Sequence, residues 1–304
     1  MKTKSYLSEA LLILVAIIWG LAFVAQRSGA EHIGPFTFNG IRFLLGGFVL
    51  LLFIRPLGNI FEQPIKKSNI PAIPKSVIFT SQILKQGSLV GTILFIAASL
   101  QQAGLVYTTA GNAGFITSLY IIFVPIIGLF FQQATQRATW IGAALAFIGL
   151  SLLSIKEGFS ISLGDSLQLI GAVFWAFHIL AIGYYAPKAN PIKLSIIQFL
   201  VCGCLSLLVG CVIETTSIDN LQQGFSAILY TGILSTAIAY TLQVVAQRKV
   251  PAAHATIIFS LEAVFALIGG WMFLNETMTL QGLLGCTLMF LGVIISQSQS
   301  THRK

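Results

Sequence analysis

Charge is scarce in this chain. Its 304 residues hold 17 basic and 9 acidic side chains, 9 % in all, where a soluble globular domain carries about 25 %. With 56 % of residues apolar, that deficit excludes a disordered segment, a coiled coil and an ordinary water-soluble enzyme. A soluble core of this size cannot hide so much apolar surface from water. Cysteine is scarce too. Cys202, Cys204, Cys211 and Cys286 all fall inside apolar runs. Cys202 and Cys204, two apart, do not face one another on a helix, so free thiols are expected, with neither disulfide nor metal site. Catalytic signatures are absent as well. There is no G-x-x-x-x-G-K-[ST], no H-E-x-x-H and no G-x-S-x-G, which leaves P-loop hydrolysis of ATP, metalloprotease and serine-hydrolase chemistry without support. Nothing indicates a cofactor.

What the chain has in quantity is apolar runs near 20 residues, the length that crosses a bilayer as a helix. Bounded by charges, prolines or polar glycine clusters, ten are predicted: Ser8–Gln26, Pro35–Phe53, Gly87–Tyr107, Ala110–Phe131, Thr139–Ile155, Asp165–Tyr185, Pro191–Ile213, Gly224–Gln247, Ala252–Leu274 and Thr279–Gln297. The runs do not alternate apolar with polar, as barrel strands do. Helix is the remaining spanning structure, because lipid offers the backbone no hydrogen bonds. The first run is too long for a signal peptide and lacks a small-residue cleavage site, so it reads as an uncleaved helix.

The net charge of +8 is no nucleic-acid signal, because the bases gather in one set of loops. With the N-terminus in the cytoplasm, that side holds Lys2, Lys4, Arg55, Lys66, Lys67, Lys75, Lys85, Arg137, Lys188, Lys193, Arg248, Lys249, Arg303 and Lys304. The outer side holds Arg27 and Lys156. The positive-inside rule then predicts both termini in the cytoplasm and an even number of spans.

The two halves resemble each other. Trp19 in AIIWGLAF falls on Trp175 in AVFWAFHI, and GAALAFIG (142–149) falls on GCTLMFLG (285–292). The unit is five helices. Five is odd, so the second copy enters the membrane from the opposite side, an inverted repeat of the kind secondary transporters use, with a site expected near the midplane. The expected units are residues 8–155 and 164–297, the first containing a long cytoplasmic loop, 54–86.

Four segments carry a further resemblance: IIWGLAF, the arginine of NGIRFLLGG, YTTAGNAGFITSLYIIFVP, and LEAVFALIGGWMFLNETMTLQGLLGCTLMFLG. Over nearly the whole chain the halves resemble the EamA domains of the drug/metabolite transporter superfamily. Ala263 stands where the family often has proline, Asn275-Glu276 where it has Gly-Glu, and Gln132-Gln133 where many members have Gly-Glu. The resemblance implies a ten-helix basket around a central cavity, and export of amino acids, similar metabolites or drug-like compounds, with proton coupling a candidate.

Charge inside the membrane costs about 2.5–3.5 kcal/mol on insertion scales, so each instance needs a partner or a role. Glu262, near the midplane of the ninth run, is a candidate proton carrier or contact for a cationic group. Arg42, seven residues into the second run, is a candidate for an anionic group. The simpler reading pairs the two with each other, their depths differing by ~6 Å at 1.5 Å per residue, or with backbone carbonyls, so that they only hold helices together. His178 and His254 are candidate titrating groups, or packing and interfacial residues. Gln101, Gln102, Asn112 and Gln243 are candidate cavity residues, with Gln26, Gln198 and Gln247 as further intramembrane amides, because buried amides need partners. Trp19, Trp175, Tyr107, Tyr120 and Tyr240 are candidate aromatic walls, while Tyr184 and Tyr185 suit an interfacial belt. One arginine, one glutamate and many amides suit a neutral or zwitterionic solute better than a phosphate ester. The expected protein is therefore no enzyme but a secondary transporter in a plasma or bacterial inner membrane, with lipid and a small molecule as partners. The alternatives are a signalling or structural membrane protein, and a sugar-phosphate or nucleotide-sugar exchanger on the same fold.

Overall fold

The computed structural model describes residues 3–60, 79–132, 135–154, 162–273 and 280–298. Lys2, Lys66, Lys67, Lys75, Gln133, Lys156, Glu157, Asn275, Glu276, Arg303 and Lys304 lie outside them, with most of the expected loop 54–86.

All regular structure among the described residues is helical. In chain order the helices are α1 (Thr3–Gly29), α2 (Pro35–Leu52), α3 (Ile54–Ile60), α4 (Ser81–Leu105), α5 (Ala110–Thr117), α6 (Tyr120–Phe130), α7 (Arg137–Ser154), α8 (Leu163–Tyr185), a 3-10 turn (Ala186–Lys188), α9 (Pro191–Ile213), α10 (Ile218–Gln223), α11 (Phe225–Leu229), a π-helical stretch (Tyr230–Tyr240), α12 (Thr241–Gln247), α13 (Ala252–Phe259), α14 (Leu261–Phe273) and α15 (Leu280–Ser298). Eight stretches are long and apolar enough to cross a membrane by length and composition. They are α1, α2, α4, α5 with α6, α8, α9, α11 through α12, and α13 with α14. The apolar parts of α7 and α15 are shorter, Arg137–Leu152 and Leu280–Ser296. Their outer faces carry Phe147, Phe290, Leu291 and Ile294, as suits a chain whose solvent is lipid.

Local chemistry sets the ends. Pro35 opens α2, where its missing N–H costs nothing. Thr80 caps α4 by accepting the N–H of Ile83, so this helix begins six residues before the expected Gly87: its first turn is polar and was invisible to an apolar-run criterion. Ser162 and Asp165 form a reciprocal capping box at α8.

Two spans are interrupted. Between α5 and α6 the backbone tightens, the N–H groups of Leu119, Ile121 and Ile122 bonding three residues back rather than four. Pro125 lies one turn beyond, with no N–H to give the Ile121 carbonyl. Between α13 and α14 the Ala263 N–H reaches the Ser260 carbonyl, again three back. There the Ser260 hydroxyl donates to the carbonyl of Ile257 at 2.8 Å, the kind of local bond that competes with the helix ladder.

Packing brings α7 against α15, α2 against α9, α4 against both α8 and α9, and α1 against α14. The contacts are close because glycines face backbone. A Cβ on Gly142 would fall 2.6 Å from the Gly292 carbonyl oxygen, and one on Gly149 would fall 2.5 Å from that of Gly285. Likewise Gly47 packs on Leu200 and Gly203 on Leu44, while Gly91 packs on Gln198 and Val201 and Gly232 on Leu45 and the Arg42 carbonyl.

Candidate functional site

A central cavity lies where α1, α2, α4, α8, the π-helical stretch and the two interrupted spans converge. Its walls are Trp19, Ala22, Phe23, Gln26, Arg42, Gln101, Thr117, Tyr120, Trp175, Ile179, Ser235, Tyr240, Gln243 and Glu262. The open space measures about 30 Å³, room for very few waters, whereas pockets for small organic ligands measure ~300–1,000 Å³. The side chains are closed in on one another.

The two interruptions meet at the cavity. Tyr120 is the first residue of α6 and Glu262 the second of α14. Each is 3 % exposed, and the Tyr120 hydroxyl donates to Glu262 Oε1 at 2.8 Å. No ion pair joins Glu262 to Arg42 among the described residues, so the pairing considered as the simpler reading does not form; tyrosine takes the carboxylate instead. A carboxylate in the first turn of a half-helix also faces the positive end of its dipole.

The aromatic wall is built around Tyr240, the last residue of the π-helical stretch. The Trp19 ring sits 4.7 Å from it, tilted by 54°, and the Trp175 ring lies nearly parallel to it at 6.1 Å. Trp19 Nε1 donates to the Ser235 carbonyl at 3.4 Å, which ties α1 to the π-helical stretch. π-Helical turns are rare and frequently mark functional sites.

A polar triangle supports the opposite side. Gln101 Nε2 donates to Thr117 Oγ1, Thr117 to Gln168 Oε1, and Gln168 Nε2 back to the Gln101 carbonyl. It joins α4, α5 and α8. Gln243 Nε2 donates to Gln247 Oε1, and Gln247 Nε2 to the Ile179 carbonyl. Arg42 is 1 % exposed. Its Nε donates to Asn39 Oδ1 at 2.9 Å, and Asn39 Nδ2 in turn donates to the Ala98 carbonyl at 2.9 Å. The guanidinium carbon stands 4.5 Å from the Phe43 ring centre.

Of the residues singled out in the sequence, Trp19, Gln26, Arg42, Gln101, Tyr120, Trp175, Tyr240, Gln243 and Glu262 therefore border the cavity. Gln102, Asn112 and His178 do not. Gln102 is buried behind the wall and donates to the Gln26 carbonyl. Asn112 is half-buried in the first turn of α5, its N–H capped by Thr109. His178 is also one layer back, edge-on to Trp175 and Tyr240, with its Nε2 2.9 Å from Gln198 Oε1. Tyr107 is exposed. His254 lies apart, its Nδ1 2.9 Å from Ser296 Oγ and its Nε2 3.5 Å from Glu9 Oε1. Asn39, Thr117, Gln168 and Ser235 went unnoticed. Asn39 was findable, since it precedes Arg42 by three residues, the spacing of neighbours on a helix. Ser235 contributes a backbone carbonyl, which no side-chain pattern announces. Among the described residues no three His, Cys, Asp or Glu side chains cluster for a metal.

Comparison with known proteins bears on what this cavity is for. The EamA-like transporter family matches the chain twice, over residues 7–155 and 162–297. An uncharacterized transporter of Archaeoglobus fulgidus is 33 % identical over 285 residues, spanning 93 % of this chain and 83 % of that one. The uncharacterized transporter YoaV of Bacillus subtilis is 25 % identical over 304 residues, spanning 96 % and 97 %. The uncharacterized inner membrane transporter YedA of Escherichia coli is 24 % identical over 270 residues, spanning 86 % and 81 %. A crystal structure at 16 % identity superposes with a TM-score of 0.75, covering 97 % of this chain and 99 % of that one, which shows a shared fold.

Proposed function

The chain belongs to the EamA-like transporter family, and on that premise we propose that it is a secondary transporter that exports a small neutral or zwitterionic solute, such as an amino acid, with Glu262 carrying a coupled proton. The membrane is a plasma or bacterial inner membrane, with both termini in the cytoplasm, as the distribution of bases supports. The fold is ten spans, with α7 and α15 as the fifth and tenth, arranged as two inverted five-helix repeats, residues 8–155 and 164–297.

Paired contacts support the repeat. Residues of α1 and α2 match those of α8 and α9 at an offset of 156, and those of α7 match α15 at 143. Under those offsets the Gly142–Gly292 contact maps onto Gly149–Gly285, and Gly47–Leu200 onto Gly203–Leu44. Such reciprocity is what a two-fold axis produces. Tyr120 and Glu262, 142 apart, are equivalents that touch each other, so their bond lies on the axis.

The observation that carries the transport reading is this cavity lined by equivalent residues from both halves: Trp19 with Trp175, Phe23 with Ile179, Gln101 with Gln243, Tyr120 with Glu262. A site shared between two oppositely oriented halves can open to either side as one half rocks on the other. The Tyr120–Glu262 bond spans the halves, so protonating the carboxylate and rocking the halves act on the same contact. A solute larger than a few waters requires that rocking, because the closed cavity has no room for it.

Metabolite profiling of the growth medium tests the reading in cells overproducing this protein or its Glu262→Gln variant, both verified as folded in the membrane. A compound that accumulates outside only with the native chain is the expected result. The same compound appearing with both variants removes the proton role. No difference from control cells with either overturns export.

A further inference from the structure

Arg42 is a buried cation whose Nη2 has no hydrogen-bond partner. It borders the cavity, and no carboxylate lies within 4.0 Å of it among the described residues. An uncompensated buried charge is strongly unfavourable. The rings of Phe43 and Phe38, 4.5 and 5.9 Å from the guanidinium carbon, offset part of that cost but supply no acceptor. The other charged residue of the cavity, Glu262, is engaged by Tyr120. The guanidinium is nonetheless held: Asn39 fixes its Nε and is itself fixed to the Ala98 carbonyl. A held guanidinium with a free N–H edge is the geometry that receives an anion.

We infer that Arg42 is the anion-recognition residue of the cavity, its Nη2 edge receiving the carboxylate of the transported solute while Trp19 and Tyr240 receive the remainder. This rests on the transport reading above. A carboxylate fits better than a phosphate ester, because among the described residues Arg42 is the one basic residue on the cavity wall and a dianion would be left half neutralised. The wall beside it is aromatic: Phe43 packs on Tyr240 at 5.9 Å and Tyr240 on Trp19 at 4.7 Å. A solute anchored at Arg42 therefore lays its carbon skeleton on indole and phenol faces.

The test uses the purified full-length protein in lipid nanodiscs and reads thermal stabilisation at constant ionic strength. The probes are L-alanine, L-leucine and L-phenylalanine, each against its own amide, with inorganic phosphate as a competing anion. At least one acid is expected to stabilise the native protein at a concentration about tenfold lower than its amide, equivalent to about 1.4 kcal/mol. Arg42→Gln removes that preference and Arg42→Lys retains part of it. Asn39→Ala, which keeps the cation but frees its orientation, weakens the preference and serves where Arg42→Gln does not fold. The inference is overturned if no native acid–amide pair differs, if Arg42→Gln keeps the preference, or if phosphate protects as well as the acids. Counterflow of the same compounds in proteoliposomes separates the two readings. A preference without movement overturns transport and leaves Arg42 only as the carboxylate-binding residue of a site that does not transport; movement without preference overturns the assignment of Arg42 and leaves transport standing.

Discussion

Glu214 shows how far a single side chain in this molecule reaches. It stands one residue beyond α9, yet its carboxylate accepts the N–H groups of Phe36 at 2.9 Å and Thr37 at 2.8 Å in the first turn of α2. Those donors have no partner within their own helix, and Gly34 before them contributes no side chain. A carboxylate there also meets the positive end of the α2 dipole. Glu214→Ala is expected to lower stability by about 1–2 kcal/mol, read as a fall in thermal midpoint in detergent. Glu214→Gln, which keeps one acceptor oxygen, is expected to lose less. If both variants melt with the native protein, the cap contributes nothing. The intramembrane amides follow the same logic. Gln26, Gln102 and Gln247 each donate to a backbone carbonyl, and Gln247 also accepts from Gln243, whereas the side-chain oxygens of Gln26 and Gln102 have no partner among the described residues.

At the scale of elements, the pairing of α7 with α15 depends on carbonyl oxygens approaching glycine Cα atoms. Any side chain at Gly142 displaces the backbone of α15 rather than a flexible neighbour. Gly142→Leu is therefore expected to destabilise by about 1–3 kcal/mol, while Phe147→Ala on the outward face of the same helix stays within about 0.5 kcal/mol. Equal melting shifts for the two would contradict the packing described. The interrupted spans differ in local chemistry, one with a proline a turn beyond the break and the other with a back-bonded serine, yet both place Tyr120 and Glu262 against each other. The π-helical stretch has a comparable effect. Gly91 and Gly232 make equivalent contacts at an offset of 141, whereas Tyr120 and Glu262 are 142 apart. Under the proposed repeat the second half gains one residue in between, as the wider i→i+5 turn accommodates.

For the whole molecule, the proposed two-fold relation between halves makes a prediction that no single helix makes. If Tyr120 and Glu262 are equivalent, exchanging them preserves their bond. Tyr120→Glu and Glu262→Tyr alone each place two like groups on the axis and are expected to reduce folded yield. The double exchange is expected to recover most of it, read by fluorescence-detected size exclusion. A double variant no better than its worse parent would show that the two positions are not interchangeable. The proposed axis is invisible to composition; what suggests it in the sequence is the likeness of the halves, Trp19 with Trp175 and the glycines of 142–149 with those of 285–292. By itself the sequence determined that this is an all-helical, multi-pass membrane protein of a transporter family. Scarce charge and long apolar runs are properties of the chain's solvent and need no neighbours to be read. It also picked out the intramembrane arginine, glutamate, amides and aromatics from which the cavity is built. Only the tertiary structure decided which of these share a space. Gln101 and Gln102 are adjacent, yet one turns to the cavity and the other behind it, because about 100° separates their directions on a helix. Arg42 and Glu262 looked like partners by depth alone. The fold gave the glutamate to Tyr120 and the arginine to Asn39, because a hydrogen bond is fixed by a few ångströms of three-dimensional placement that helical periodicity does not encode.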